Sequence, residues 1–151
     1  MLPKFEALEA VKNAGVVAVV RGRSEENSYK ISKASIEGGV KAIELAFTSP
    51  NADVTIKRLS GEYADDPSVV VGAGTVLVPS TARLAMIAGA KFIVSPGLNP
   101  TVVKYCVDRN IPVTPGFSSP SDIERALEMG LEVVKFFPAE AMGGLNMIKS
   151  M

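Results

Sequence analysis

Lys135 stands inside the apolar run Val133, Val134, Phe136 and Phe137, closed by Pro138, and Glu44 stands between Ala42 and Ala46 with the bulkier Ile43 and Leu45 interleaved. A charged side chain in such a setting is costly to bury unless it is paired or has changed its protonation state. A lone strand lysine ordinarily reaches solvent, its stem lying over apolar surface. Inside a barrel, desolvation favours a neutral amine, and a neutral amine attacks a carbonyl. A carboxylate beside it could move protons; as a bare pair the two could equally be a buried salt bridge that fixes register. Chemistry or structure is decided by the elements that carry them.

Those elements follow one grammar. Val16 to Val20 is continuous and β-branched, as in a parallel strand covered on both faces. Further strands are predicted at Val40 to Phe47, Val69 to Val71, Phe92 to Ser95, Pro112 to Thr114 and Val133 to Phe137. Between them lie helical segments with start signals: Ser24 ahead of Glu25 and Glu26, Ser49-Pro50 as cap and first helical position, and likewise Pro79-Ser80, Asn99-Pro100 and Ser119-Pro120. A short amphipathic helix, Lys4 to Ala14, precedes the first strand. Strands alternating with helices imply a parallel α/β sheet of right-handed βαβ units.

A weak repeat aligns three of these units. Gly39, Gly89 and Gly130 each close a helix and lead into a strand, and Glu44, Val94 and Lys135 each fall at the fifth position after that glycine. They belong to the second, fourth and sixth strands, and in a (β/α) barrel one layer of interior side chains comes from alternate strands. Strand alternation turns Ala42, Glu44 and Ala46 one way, and Val133, Lys135 and Phe137 likewise. Glu44 and Lys135 are therefore expected to share an interior layer.

Composition narrows the chemistry. The chain has 151 residues, 47% hydrophobic and 21% charged, with a formal net charge of zero. That suits one globular core and gives no electrostatic footprint for nucleic acid or an anionic membrane. There is no histidine and a single cysteine, Cys106, so the usual zinc ligands, the usual general base and any intramolecular disulfide are excluded. No cofactor or metal is expected. The N-terminal stretch Met1 to Glu6 lacks a signal pattern and no apolar run is long enough for a bilayer, so a cytoplasmic protein is expected.

The third strand ends in Val71-Gly72-Ala73-Gly74-Thr75, which fails as a dinucleotide fingerprint because Leu77 occupies the place of the third glycine. Small residues there let the strand bend or a ligand approach, with the Thr75 hydroxyl at the mouth. Together with Ile43-Glu44-Leu45, Phe92-Ile93-Val94-Ser95-Pro96-Gly97, Ile111-Pro112-Val113-Thr114-Pro115-Gly116 and Val134-Lys135-Phe136-Phe137-Pro138-Ala139-Glu140, this motif resembles the successive strand motifs of the 2-keto-3-deoxy-6-phosphogluconate/2-keto-4-hydroxyglutarate (KDPG/KHG) aldolase family. The resemblance runs in order from about Gly15 to the last residue.

The resemblance implies a class I aldolase, a TIM (β/α)8 barrel that needs no metal, cytosolic and homotrimeric when full length. Lys135 matches the Schiff-base lysine and Glu44 the acid–base glutamate. Arg21 and Thr75 match positions lining the pyruvyl region, with Pro96 and Phe137 as its walls. One position departs: Thr48 stands where some members have an arginine, which leaves carboxylate binding to Arg21 and Thr75. The expected substrates are small 2-keto acids, KDPG or 4-hydroxy-2-oxoglutarate. A closed barrel needs about 200 residues or more, so residues 1–151 are expected to form one partial barrel of about six βα units, with strands seven and eight absent. The alternatives are an inactive truncated form of such an aldolase or a different sugar-phosphate barrel enzyme.

Overall fold

The valine-rich runs do form strands, and they do so in sequence order. The computed structural model describes residues 2–151. Met1, at the head of the stretch read for a signal, lies outside the described residues. Helix α1 (Pro3–Ala14) precedes β1 (Val17–Val20), after which α2 (Glu25–Glu37), β2 (Ala42–Ala46), α3 (Ala52–Glu62), β3 (Val70–Gly74), α4 (Pro79–Ala88), β4 (Ile93–Ser95), α5 (Pro100–Val107), β5 (Val113–Phe117), α6 (Pro120–Glu128), β6 (Lys135–Phe136) and α7 (Gly144–Ser150) follow. All strands are parallel in the order β1-β2-β3-β4-β5-β6, the sheet of an open part-barrel. Among the described residues no helix is long and apolar enough to cross a membrane.

Local signals explain most boundaries. Ser24 Oγ accepts from the Asn27 N–H, Asn99 Oδ1 from the Thr101 N–H, and Ser119 forms a reciprocal capping box with Asp122. Gly39, Gly89 and Gly130, the repeat glycines, have φ of 102°, 105° and 70°, a region that costs other residues strain. The expected Ser49-Pro50 cap is corrected: α3 starts at Ala52 behind Asn51, which is left-handed at φ 50° and ψ 42°. The reason is that Ser49 is committed elsewhere, its N–H to the Ala46 carbonyl and its hydroxyl to the Gly22 N–H.

The last two strands also depart from expectation. β5 runs on to Phe117 because Gly116 and Phe117 are the ladder partners of Lys135 and Phe136. β6 shrinks to those two residues, leaving Val133 outside the strand and 45% exposed. A strand with one neighbour has half the ladder to hold it.

The sheet separates two apolar layers. Outside, Ile43, Leu45, Ile56, Leu59, Ile93, Val102 and Val103 pack the strands against the helices. Inside, Ala42, Val70, Phe92 and Val94 meet Ala10, Val11 and Ala14 of α1, which plugs the amino-terminal end of the concave face. Gly72 makes room for this layer, since a Cβ there would come within 2.5 Å of the Phe92 ring. Alternation along β2 thus turns Ile43 and Leu45 to the helices and leaves Ala42 and Glu44 to the interior.

Candidate active site

β2 and β6 present Glu44 and Lys135 to the same interior, as their shared layer predicts. Lys135 Nζ lies 3.7 Å from Glu44 Oε1; the lysine side chain is 28% exposed and the glutamate side chain 5%. The two side chains line a cavity of about 430 Å³ together with Val19 of β1, Val94 of β4, Thr114 of β5, Lys12 of α1, and Phe92 and Val133, which precede β4 and β6. Val94, the third member of the predicted layer, is therefore where the repeat places it.

Burial holds the Glu44 carboxyl above the usual carboxylate range, while the positive charges of Lys135 and then Arg21 oppose that rise. A carboxyl whose proton is held more tightly by burial, beside a positive charge that opposes this, has the character of an acid–base group. Its position is set by β3. Gly74, which pairs with Ala46, packs directly against the Glu44 carboxylate, and a Cβ at residue 74 would overlap Glu44 Oε1. Sequence reasoning assigned this glycine to a bend or a ligand's approach; what it accommodates is the side chain of the neighbouring strand. No pattern within β3 alone could have identified that.

The other expected site residues stand around this pair at the carboxyl ends of the strands. Arg21 follows β1, is exposed, and acts on Glu44 through its charge rather than through an ion pair. The Phe137 ring, 38% exposed, has its centroid 5.3 Å from Lys135 Nζ. Thr75 follows β3 with φ 55°, an outlier for a β-branched residue and of the kind that clusters at functional sites. Pro96 follows β4 and lines a separate shallow groove with Val76, Leu77 and Gly97. So Lys135 is brought close to Glu44 and Phe137, and Arg21 into electrostatic range of Glu44, while Thr75 and Pro96 follow the neighbouring strands β3 and β4. Thr48 is exposed at the mouth of β2 and supplies no charge. Among the described residues no group of three or more Cys, Asp or Glu is placed to hold a metal ion.

Comparison with known proteins bears on this arrangement. The family model described as "Aldolase: KDPG and KHG aldolase" matches residues 8–151. A 2-dehydro-3-deoxy-phosphogluconate aldolase of Treponema pallidum (strain Nichols) is 44% identical over 151 residues, which is 100% of this chain and 69% of that protein. A KHG/KDPG aldolase of Escherichia coli (strain K12) is 35% identical over 147 residues, 97% of this chain and 68% of that protein. Among solved structures, the 2-keto-3-deoxy-6-phosphogluconate aldolase of Zymomonas mobilis ZM4 with 3-phosphoglycerate superposes with a TM-score of 0.86 at 34% identity, over 96% of this chain and 68% of that one. The KDPG aldolase of Legionella pneumophila, with pyruvate captured as a covalent carbinolamine intermediate, does so with a TM-score of 0.84 at 29% identity, over 99% of this chain and 69% of that one. With ordered motifs, a parallel part-barrel and relatives of this similarity in agreement, the chain belongs to the KDPG and KHG aldolase family.

Proposed function

We propose that this chain is a class I, Schiff-base aldolase. It cleaves 2-keto-3-deoxy-6-phosphogluconate to pyruvate and glyceraldehyde 3-phosphate, and 4-hydroxy-2-oxoglutarate to pyruvate and glyoxylate. The observation that carries the reading is the interior pair, Lys135 Nζ 3.7 Å from the buried Glu44 Oε1. Its relatives' names supply the substrate class, and the captured carbinolamine in the Legionella pneumophila enzyme is the kind of intermediate a lysine amine forms.

In this mechanism the Lys135 amine attacks the carbonyl carbon of the 2-keto acid, and loss of water leaves a protonated imine. Glu44 takes the proton from the hydroxyl on the fourth carbon. The electrons of the bond between the third and fourth carbons flow into the imine nitrogen as that bond breaks, releasing the aldehyde and leaving an enamine. Glu44 returns a proton to the third carbon, and water then hydrolyses the imine to free pyruvate and the amine. Arg21 and the Thr75 hydroxyl hold the substrate carboxylate in place of the arginine that Thr48 replaces. Pro96 and Phe137 wall the pyruvyl group, and the Phe137 ring beside Lys135 shields the imine from water. A homotrimeric assembly and a cytoplasmic location belong to the same proposal and rest on the family resemblance.

The half-reaction on pyruvate alone tests the proposal without needing a phosphate site. In deuterium oxide the methyl protons of pyruvate should exchange, because imine and enamine interconvert through Lys135 and Glu44. Proton magnetic resonance should show exchange that Lys135→Ala removes; exchange at the buffer rate with the unaltered chain would reject the Schiff-base reading.

A further inference from the structure

The turn that carries Arg21 is held from two sides. Arg21 lies between Val20, which is 2% exposed and pairs with Leu45 of β2, and Gly22. On one side Gly22 is pressed against α2: a Cβ there would overlap Ser28 Oγ and lie 2.6 Å from the Ser28 nitrogen, and Ser28 is wholly buried. On the other side the Gly22 N–H donates to Ser49 Oγ at 3.1 Å. Ser49 is itself 6% exposed and fixed to β2, its N–H donating to the Ala46 carbonyl at 2.9 Å, two residues beyond Glu44. The serine whose position suggested a helix cap instead joins the two turns that bear Arg21 and follow Glu44.

Arg21 is also the one guanidinium whose charge Glu44 feels. Thr48, in the neighbouring position, supplies no charge there. An exposed guanidinium on a flexible stem gains little from a ligand unless the backbone beneath it is held, because ordering it on binding costs entropy. We infer that Ser49 is a positioning residue, its hydroxyl strapping the β1–α2 turn to the mouth of β2 so that Arg21 is held towards the carboxylate of a bound 2-keto acid. This rests on the Schiff-base reading and deepens it. Ser49 touches neither substrate nor Lys135; it acts through Gly22 and Arg21.

The test uses the 151-residue chain with pyruvate and borohydride, reading the pyruvate concentration that gives half-maximal labelling of Lys135. Ser49→Ala and the nearly isosteric Ser49→Cys should each raise that concentration about tenfold, the scale of one lost contact to a charge. Ser49→Thr, which keeps the acceptor, should restore it. Arg21→Met should have a similar effect, and adding Ser49→Ala to Arg21→Met should change it less than twofold. A Ser49 with a merely structural role would lower the melting temperature while leaving half-saturation unchanged, or would add its full effect on top of Arg21→Met, and either result overturns the inference. Independently of any variant, trapped pyruvate should slow amide deuterium exchange in the peptide containing Gly22, and unchanged exchange there would also overturn it. If the unaltered chain takes no label at Lys135, the Schiff-base reading itself fails; label with an unmoved half-saturation in the Ser49 variants removes only the strap.

Discussion

The two strands that supply the proposed reactive pair are built very differently. β2 is buried along its whole length, has a strand on either side, and carries Glu44 in a slot that Gly74 leaves open. β6 is two residues long, has β5 as its one neighbour, and carries Lys135 partly open to solvent. Glu44 is thus fixed by the sheet, whereas Lys135 sits on an edge. An ion pair between Lys4 of α1 and Glu132, 2.6 Å long, ties α1 to the residues just ahead of β6. The contrast teaches that a buried carboxylate and a partly exposed amine on an edge strand can be parts of one site, and that the two halves should respond differently to mutation.

The largest effect should come from the edge strand itself. Lys135→Ala removes the only group in this mechanism able to form an imine, so pyruvate methyl exchange should fall to the buffer rate. Residual exchange above it would mean that another amine does the chemistry. On the central strand, Glu44→Gln keeps shape and removes the base. Exchange should drop by about a hundredfold or more while borohydride labelling persists in part, the usual scale for a positioned acid–base group. An equal loss of both would deny the separation between the two strands.

Gly74→Ala should fall next. The new methyl occupies the space of the Glu44 carboxylate, so the glutamate must turn away. We expect roughly a tenfold loss of exchange and a destabilisation of about 1–3 kcal/mol, the range for overpacking a filled interior. Thermal unfolding and the exchange assay measure the two parts separately. Gly130→Ala gives the contrast: no atom lies within 4 Å of its Cβ position, although its φ of 70° still costs strain. It should therefore lower stability while changing exchange less than Gly74→Ala.

A smaller effect should appear with pH. Because burial raises the Glu44 carboxyl above its ordinary 4.5, the folded chain binds that proton more tightly than the unfolded one. Stability from this group therefore falls as pH rises from about 4.5 through the raised value, opposite to the usual behaviour of a carboxylate. Exchange should rise over the same window as Glu44 becomes a base. In Glu44→Gln the melting temperature should lose that component of its pH dependence; an unchanged profile would show that Glu44 titrates as an ordinary surface acid.

The smallest local effect concerns the tie under the edge. Lys4→Ala should leave Glu44 in place and loosen β6, cutting borohydride labelling a few-fold with a stability loss of about 1 kcal/mol or less, as for a partly exposed ion pair. The edges also bear on association. Val19 and Val133, beside or within β1 and β6, are 41% and 45% exposed, and unpaired apolar strands recruit other strands. The 151-residue chain should therefore self-associate in light scattering. A monodisperse monomer would show that β1 and β6 suffice as edges.

Much of this was legible in the sequence. Period-two alternation set Glu44 and Lys135 facing inward, and the spacing from Gly39, Gly89 and Gly130 set them in one layer, because both signals are carried by a few residues along one strand. Caps with a donor three residues on, at Ser24 and Ser119, were legible for the same reason. What escaped was non-local. Ser49 read as a cap, yet a hydroxyl goes to whichever N–H the fold presents, here Gly22, 27 residues away. The role of Gly74 depends on a side chain from another strand. The short β6 depends on how many neighbours it has, which no stretch of its own residues records.

The most direct test of the central claim is to trap pyruvate with borohydride and map the label by peptide mass analysis. The account predicts a single reduced pyruvyl group on the peptide containing Lys135, with surface lysines such as Lys30, Lys104 and Lys149 unlabelled. Label spread over those exposed lysines, with none concentrated at Lys135, would contradict it.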